Sequence, residues 1–535
     1  MKFEFSVLKN VPDNFGKKSL KKETNINEMS AQYANLCSAL IKQYFGDTSQ
    51  CVADALFVSV SRTLPALVKS TKLSRSEVNK SLAVLIKFRL VTFAQTPASE
   101  VLAEYSLNFN NILNILRYPR YVHLIQANFG NVGSLIVEEF LRSGTQTASS
   151  GILKCFSSST NKDKLTTCRD VFFNMVNAHY LVRTPVPKPS SGSDSDPIPK
   201  LEIESFDLFI PPNIDMSQLS QFQSGKIKEL PDSGTFWTIN FDRFHQDFRD
   251  SVMIGAIERK LGGSAAECFK FILQQMYERT DPWQQNYSNP FTFVEVKQTV
   301  EKKSKNLELI KYIDQYISLI GKFGDMGGGQ YVVDMKKSFE ELSYCCAEHV
   351  ITEKFGSKAS RIFRVIKMRK FIEQEEIQKE AMVPAKEAKL LTYKLFEEQF
   401  IQIKTIRKTG GGGSGPAKSF YLFHVNIAQV AKMLLEICYK AFYNTITRAT
   451  HEKSENKRLI DKSQKLESIV ETMKERGESE EYIADILETL TPPEREVLKK
   501  VKARIKTLSN AELALDDTIF LLQMFLYHNA LIKKS

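Results

Sequence analysis

The sequence predicts a mainly α-helical protein with small β-hairpin wings: tandem winged-helix domains followed by a C-terminal helical coiled-coil hairpin. Three observations carry that expectation. Apolar residues recur at helical spacing through most of the chain. Four segments each close on a short β-like run rich in Val, Tyr, Phe and Leu. Beyond residue 426 those runs cease while the helical period continues. Helices followed by a small hairpin describe a winged helix, a variant of the helix-turn-helix.

At 535 residues the chain exceeds a single core, and a prior of about 150 residues per domain implies three or four units. Hydrophobic residues make up 42% and charged residues 25%, the balance of an ordinary globular protein. No apolar run approaches the roughly 20 residues that span a bilayer, so no membrane partner is expected. Residues 1–29 are read as an N-terminal extension. MKFEFSVLKNVPDNFGKKSLKKE holds no continuous apolar stretch and soon turns basic, unlike a secretory signal. Eight cysteines without a CxxC pair fit a reducing compartment and are read as small buried hydrophobes. The seven histidines form no HxxxH or HxH pair, so no metal and no other cofactor is expected. A formal charge of +11 favours a polyanionic partner.

The first winged helix is placed at 30–105. Tyr33, Leu36, Leu40 and Tyr44 share one helical face. Ser74 with Glu77 three residues on is a capping-box signature, and Val78, Leu82, Leu85 and Ile86 continue as an apolar stripe. LVTFAQ and VLAEYSL then read as two hairpin strands. The second domain, 106–186, ends a helix on Gly144 and closes on YLVRTP. PVPKPSSGSDSDPIPK, rich in Pro and Ser, makes 187–233 a linker or disordered loop. The third domain, 234–340, runs from FWTINFDRFHQDF to GDMGGGQYVVDM, where glycines separate the wing strands. In the fourth, 341–426, a helix begins after Pro384 and GGGGSGP lies between two β-like runs. Residues 427–535 form the helical coil. Leu459, Leu466 and Met473 stand seven apart, as in a coiled-coil seam that docks a partner or closes an intramolecular hairpin. The first helix of the coil is expected to run unbroken past residue 470, about 75 Å at 1.5 Å per residue.

Two basic stretches are the candidate DNA contacts. Lys69, Lys72, Arg75, Lys80, Lys87 and Arg89 stand against the single acid Glu77. Lys354, Lys358, Arg361, Arg364, Lys367, Arg369 and Lys370 stand against Glu353, with Ile362, Phe363 and Ile366 on the opposite spacing as core. Both stretches are open to the blander reading of solvated or protein-docking faces. Neither carries an Asn or Gln arrangement suited to base readout, so contact is expected through backbone phosphates. Arg117 and Arg120 could serve as DNA contacts, but a turn packed by Tyr118 is the favoured reading. For catalysis there are only decoys. GGGGSGPAKS lacks the Gly-Lys order of a phosphate loop, Gly327, Gly328 and Gly329 form a wing tip, and His245 sits among aromatics as a satisfied histidine.

The strings LRYPRYVHLI (116–125), NFDRFHQDFRDS (240–251), GGGQYVV (327–333), EKFGSKASRIFRVI (353–366), AMVPAKEAKLL (381–391), NKRLIDKSQKLESI (456–469) and LDDTIFLLQMF (515–525) carry a family likeness. From about residue 30 onward the chain resembles the RPC-type winged-helix subunits of DNA-directed RNA polymerase III. The resemblance implies a non-catalytic nuclear subunit in a peripheral heterotrimer beside the polymerase clamp, formed by the largest subunit. It implies as partners a second winged-helix subunit, a small acidic subunit, a promoter-bound initiation factor and DNA. The implied role is promoter recruitment, duplex opening and initiation for small untranslated RNAs such as transfer RNA and 5S ribosomal RNA. The alternative is a winged-helix scaffold of another complex that uses only protein contacts. On this reading, reversing Arg361, Arg364 and Lys367 to Glu impairs promoter binding or opening and leaves the fold intact.

Overall fold

The structure is a computed structural model describing residues 30–59, 61–96, 99–158, 165–187, 198, 201–223, 232–277, 286–320, 324–327, 329–408, 418–476 and 489–531. The expected architecture is present. The chain forms two compact units, one from Leu40–Cys345 with the residues from Met524 on, the other from Ser30–Ala39 and Cys346–Gln523.

Helix α1 (Ala31–Phe57) bends at Gly46, whose φ of 83° is left-handed, so its second half serves as the first helix of winged helix one. Strand β1 (Arg62–Thr63), α2 (Leu64–Thr71), α3 (Arg75–Lys87), β2 (Val91–Thr96) and β3 (Ser99–Leu107) complete it, with sheet order β1-β3-β2. The wing register pairs Val91 with Leu107 and Phe93 with Tyr105. Tyr33, Leu36 and Leu40 are buried as expected, but Tyr44 is half exposed.

The second winged helix departs from its expected boundary. After α4 (Phe109–Asn114) and α5 (Tyr118–Ser143) come β4 (Gln146–Thr147), α6 (Ala148–Ser158), α7 (Leu165–Asn177) and β5 (Leu181–Arg183). Helix α5 does end at Gly144, with φ 71°. The strand that closes this sheet, β8 (Phe236–Ile239), lies beyond the expected linker and pairs between β4 and β5. Residues 187–233 are therefore an insertion between two wing strands, not a connection between domains. Its described parts include the short pair β6 (Val186–Pro187) and β7 (Leu201–Glu202), and α8 (Met216–Gln223). Leu219 is fully buried, and Asp232 accepts a 2.8 Å hydrogen bond from the Ser149 amide. The physical reason is burial: Trp237 on β8 is fully buried and meets Phe172 edge-on at 5.8 Å, so the second core is incomplete without it.

Helices α9 (Phe241–Leu261) and α10 (Gly263–Tyr277) lead into β9 (Phe291–Thr292), α11 (Phe293–Lys303), α12 (Leu307–Lys311), α13 (Ile313–Ile320), β10 (Gly324–Gly327) and β11 (Gln330–Val332). The sheet order β10-β11-β9 makes this the third winged helix, with the left-handed Gly329 between its wing strands.

In the second unit, α14 (Met335–Phe355) runs in from the first and precedes α15 (Ser357–Arg369), α16 (Gln374–Ala381), α17 (Ala385–Glu397), β12 (Gln402–Lys408) and β13 (Lys418–His424). Strand β13 also bridges Ile372 through Phe423. This is the fourth winged helix, with Ile362, Phe363 and Ile366 fully buried. GGGGSGP, at 410–416, lies outside the described residues, flanked by antiparallel strands and not by the strand and long helix of a phosphate loop.

The C-terminal coil is α18 (Ile427–Glu455), α19 (Lys457–Arg476) and α20 (Pro492–Leu531). The expected single helix past residue 470 is broken at Asn456, where φ is −102° and ψ 15° and the side chain bonds back to the Glu452 carbonyl. Of the cysteines, Cys37, Cys155, Cys168, Cys268 and Cys438 are buried, but Cys51 and Cys345 are exposed, so the core reading holds for the first five.

Two buried histidines in the first unit make stability pH-dependent. His528 Nδ1 lies 3.0 Å from Asn286 Oδ1, and burial with the nearby Arg249 cation holds its pKa down at about 3. His245, 3.1 Å from the Tyr121 hydroxyl and 3.5 Å from Arg117, is likewise held well below the usual range by burial and by Arg117. Below about pH 6.5 the unfolded chain takes up protons that the fold refuses, so this stability is whole above that pH and is lost as pH falls. Asp250, raised to about 6 by burial, takes up protons in the fold as pH falls toward 6 and offsets a minor part of that loss. Urea unfolding at pH 7.5 and 6.0 should therefore show a loss of roughly 1 kcal/mol per histidine, and His528→Phe should remove about half of the drop.

Candidate nucleic-acid interface

The turn between α2 and α3 sets the first candidate site. Lys72 adopts a left-handed φ of 57° and closes α2 with its amide on the Val68 carbonyl at 3.1 Å. Ser74 then caps α3: its hydroxyl accepts from the Glu77 amide at 3.2 Å, while the Glu77 carboxylate accepts from the Ser74 amide at 3.0 Å. The Ser74 hydroxyl also lies 2.8 Å from the Glu77 carboxylate, and its bond, with that of the Ser74 amide, holds the Glu77 carboxyl below its ordinary range. Ser74→Ala should cost about 1 kcal/mol in the urea unfolding of this domain. Thr63→Ala, whose hydroxyl makes no cap bond to α2, should cost less.

Val78, Leu82 and Leu85 are buried and fix the rotation of α3. Arg75, Lys80 and Lys87 consequently face outward on the helix that a winged helix presents to DNA, with Lys69 and Lys72 beside its N-terminus. All five are exposed, and among the described residues none forms an ion pair. Arg89 is the exception in this stretch. It follows α3 in a left-handed turn (φ 59°), its carbonyl accepts from Asn111 Nδ2 at 2.8 Å, and desolvation lowers its pKa while Asp242 opposes the shift. It is a packing residue whose guanidinium is desolvated near Asp242 of α9, so it leaves the DNA-contact set.

The second basic stretch folds differently from its expectation. Lys354 belongs to α14 and Lys358–Arg369 to α15, the first helix of winged helix four and not its recognition helix. Carboxylates remote in sequence meet these cations. Lys354 pairs with Glu398 at 2.7 Å, Lys358 with Glu387 at 2.7 Å, Arg369 with Glu380 at 2.6 Å, and Arg364 with Glu348. Arg361 donates to the Ala381 carbonyl at 3.3 Å, and Lys367 is half-buried. Lys370 remains exposed at the end of the helix. Counting acids along the stretch missed Glu348, Glu380, Glu387 and Glu398, which only the fold brings near. The expectation that Arg361, Arg364 and Lys367 can be reversed with the fold intact is corrected accordingly, because a glutamate at 364 would face Glu348. Arg364→Glu should destabilise the fourth domain by roughly 1 kcal/mol, read as a lowered melting temperature.

Leu459, Leu466 and Met473 are half-buried. Ser463, on their face of α19, accepts from Lys502 of α20 at 3.4 Å, and Lys462–Glu494 (2.9 Å) and Lys502–Glu467 (2.7 Å) also join the two helices. The seam thus turns toward α20, and Ile469 is among the apolar residues left exposed on α19. Arg117 is buried, and the Arg120 guanidinium lies 4.6 Å over the Phe248 ring, so both serve packing.

Comparison with known proteins follows the same order of domains. Residues 35–96 match the family described as RNA polymerase III subunit RPC82 helix-turn-helix domain, and 163–342 that described as RNA polymerase III subunit RPC82. Residues 347–425 match POLR3C, C-terminal winged-helix domain, and 458–521 match DNA-directed RNA polymerase III subunit RPC3, helical hairpin domain. The chain is 33% identical over 531 residues to DNA-directed RNA polymerase III subunit RPC3 of Rattus norvegicus, covering 93% of this chain and 99% of the relative. The chain belongs to the RPC3 family. Other relatives so named are 31% identical over 532 residues in Homo sapiens and 33% over 539 in Danio rerio, each with 93% of this chain and 99% of the relative covered. The RPC82 helix-turn-helix match contains α2 and α3, so the cationic face described above lies within a matched family segment.

Proposed function

We propose that this chain is a non-catalytic subunit of nuclear RNA polymerase III that engages DNA through the first winged helix. Its setting is a peripheral heterotrimer, with a second winged-helix subunit and a small acidic subunit, docked on the clamp of the largest subunit. There it aids recruitment to promoter-bound initiation factor and opening of the duplex for transcription of small RNAs such as transfer RNA and 5S ribosomal RNA. The observation that carries the DNA role is the outward face of α3, whose cations form no ion pair with a described carboxylate. Such a face suits phosphates and not base edges, so binding should be weakly sequence-specific and steeply salt-dependent.

The test is affinity purification of the tagged full chain. Recovery of the polymerase III large subunits is expected, and recovery of a different assembly in their place overturns the reading. The scaffold alternative, in which winged helices meet only protein, is favoured for the fourth domain alone, where internal carboxylates meet the basic stretch.

A further inference from the structure

We propose that in the fourth winged helix the groove between α17 and the β12–β13 hairpin docks a short segment of another polymerase subunit. The segment buries an apolar side chain and sets a Lys or Arg beside it. The inference rests on the polymerase-subunit reading and adds a partner chemistry to it.

The groove follows from local structure. Pro384 starts α17, and burial of Ala388, Thr392 and Leu395 fixes its rotation. That rotation turns Leu390, Tyr393 and Phe396 outward at spacings of three, with 53%, 61% and 39% of their surfaces exposed. In the hairpin, Ile403 pairs with Phe423 and Thr405 with Tyr421, which puts Ile403 and Tyr421 on one face of the two-stranded sheet. That face and α17 border an open groove of about 520 Å³ lined by Tyr393, Phe396, Ile403, Tyr421 and Phe423. A space of this size holds two or three side chains.

The contrast with the first domain sharpens the point. Recognition helix α3 presents Arg75, Lys80 and Lys87, whereas α17 carries Ala385, Leu390 and Glu397 in the same register and adds exposed Tyr393 and Phe396. Contiguous exposed apolar surface of this kind marks a protein contact. Charge then selects the occupant. Glu373 and Glu375 stand at the groove, both exposed and without an ion pair among the described residues, and Lys389 is the one cation among the described lining residues. Two carboxylates against one ammonium repel phosphate and favour a cationic group next to the buried anchor. Nucleic acid stacked on the aromatics is the competing occupant, and it fits this charge balance less well.

The test uses p-benzoylphenylalanine in place of Tyr393 in the full chain, irradiated within the purified polymerase, with crosslinked peptides sequenced by mass spectrometry. The expected product is a peptide of another subunit, joined at an apolar residue with Lys or Arg within three positions. Glu373→Lys with Glu375→Lys should cut its yield at least fivefold, while Lys389→Glu leaves the yield within twofold or raises it. Both sites are exposed at the N-terminus of α16, so the charge variants should keep the wild-type circular dichroism and lower the melting temperature only by roughly a few degrees. A crosslink confined to DNA, to a second copy of this chain or to an acidic segment overturns the proposal. So does the absence of any crosslink, or a yield indifferent to the charge swap. A chain that enters the polymerase but fails these readouts sinks the docking site alone. A chain that never enters it sinks the functional reading and this proposal together.

Discussion

Replacing Lys72, Arg75 and Lys80 together by glutamate should lower the affinity of the full chain for duplex DNA more than about 100-fold at physiological salt. Each phosphate neutralised by a lysine or arginine contributes about 0.9 to the slope of log affinity against log salt. Losing three contacts should therefore flatten that slope by about 3, and the new carboxylates should repel what contact remains. The fold should survive, because all three side chains are exposed and the helix is held by the Ser74–Glu77 cap and by buried Val78, Leu82 and Leu85. A glutamate at position 75 even suits the first turn of a helix. Fluorescence anisotropy with a duplex of random sequence, repeated from 50 to about 300 mM salt, measures both quantities. An unchanged slope in the triple variant would remove α3 as the phosphate contact. The matching experiment on α15 should give the opposite pattern: Arg364→Glu should move thermal stability more than DNA affinity, since its guanidinium already meets Glu348.

The second large effect concerns the strand that completes winged helix two. A fragment of residues 106–186 should show no cooperative unfolding transition, whereas residues 106–261 should show one. The shorter piece lacks Trp237, which is fully buried against Phe172, and leaves β4 and β5 without the strand between them. In the full chain, Trp237→Ala should cost about 3–5 kcal/mol, the range for emptying a large aromatic site. Trp237→Phe should recover most of that, because the indole nitrogen has no hydrogen-bond partner among the described residues. A fragment ending at 186 that unfolds cooperatively would restore the shorter domain boundary.

These two cases show where the sequence was legible. Ser74, Gly144 and Pro384 work through bonds or backbone angles within a few residues, so their helix boundaries could be read directly. The rotation of α3 was equally visible, since Val78, Leu82 and Leu85 carry the period of the buried face. Strand β8 was readable as a strand, but its partners lie more than 50 residues upstream and no local pattern names them. The ion pairs of α14 and α15 failed for the same reason: Glu380, Glu387 and Glu398 are distant in the chain and near only after folding. Arg89 shows the converse, a cation in a basic run whose left-handed turn carries it inward. The break at Asn456 was hidden because α18 and α19 carry unbroken helical periodicity on both sides of one residue.

Placing β8 after a long excursion means that neighbouring strands of one small sheet come from stretches of chain that need not be covalently joined. A molecule severed by protease between residues 188 and 197 should still migrate as one particle on a sizing column and separate only in denaturant. Two genes encoding the halves should then reconstitute the second domain by complementation.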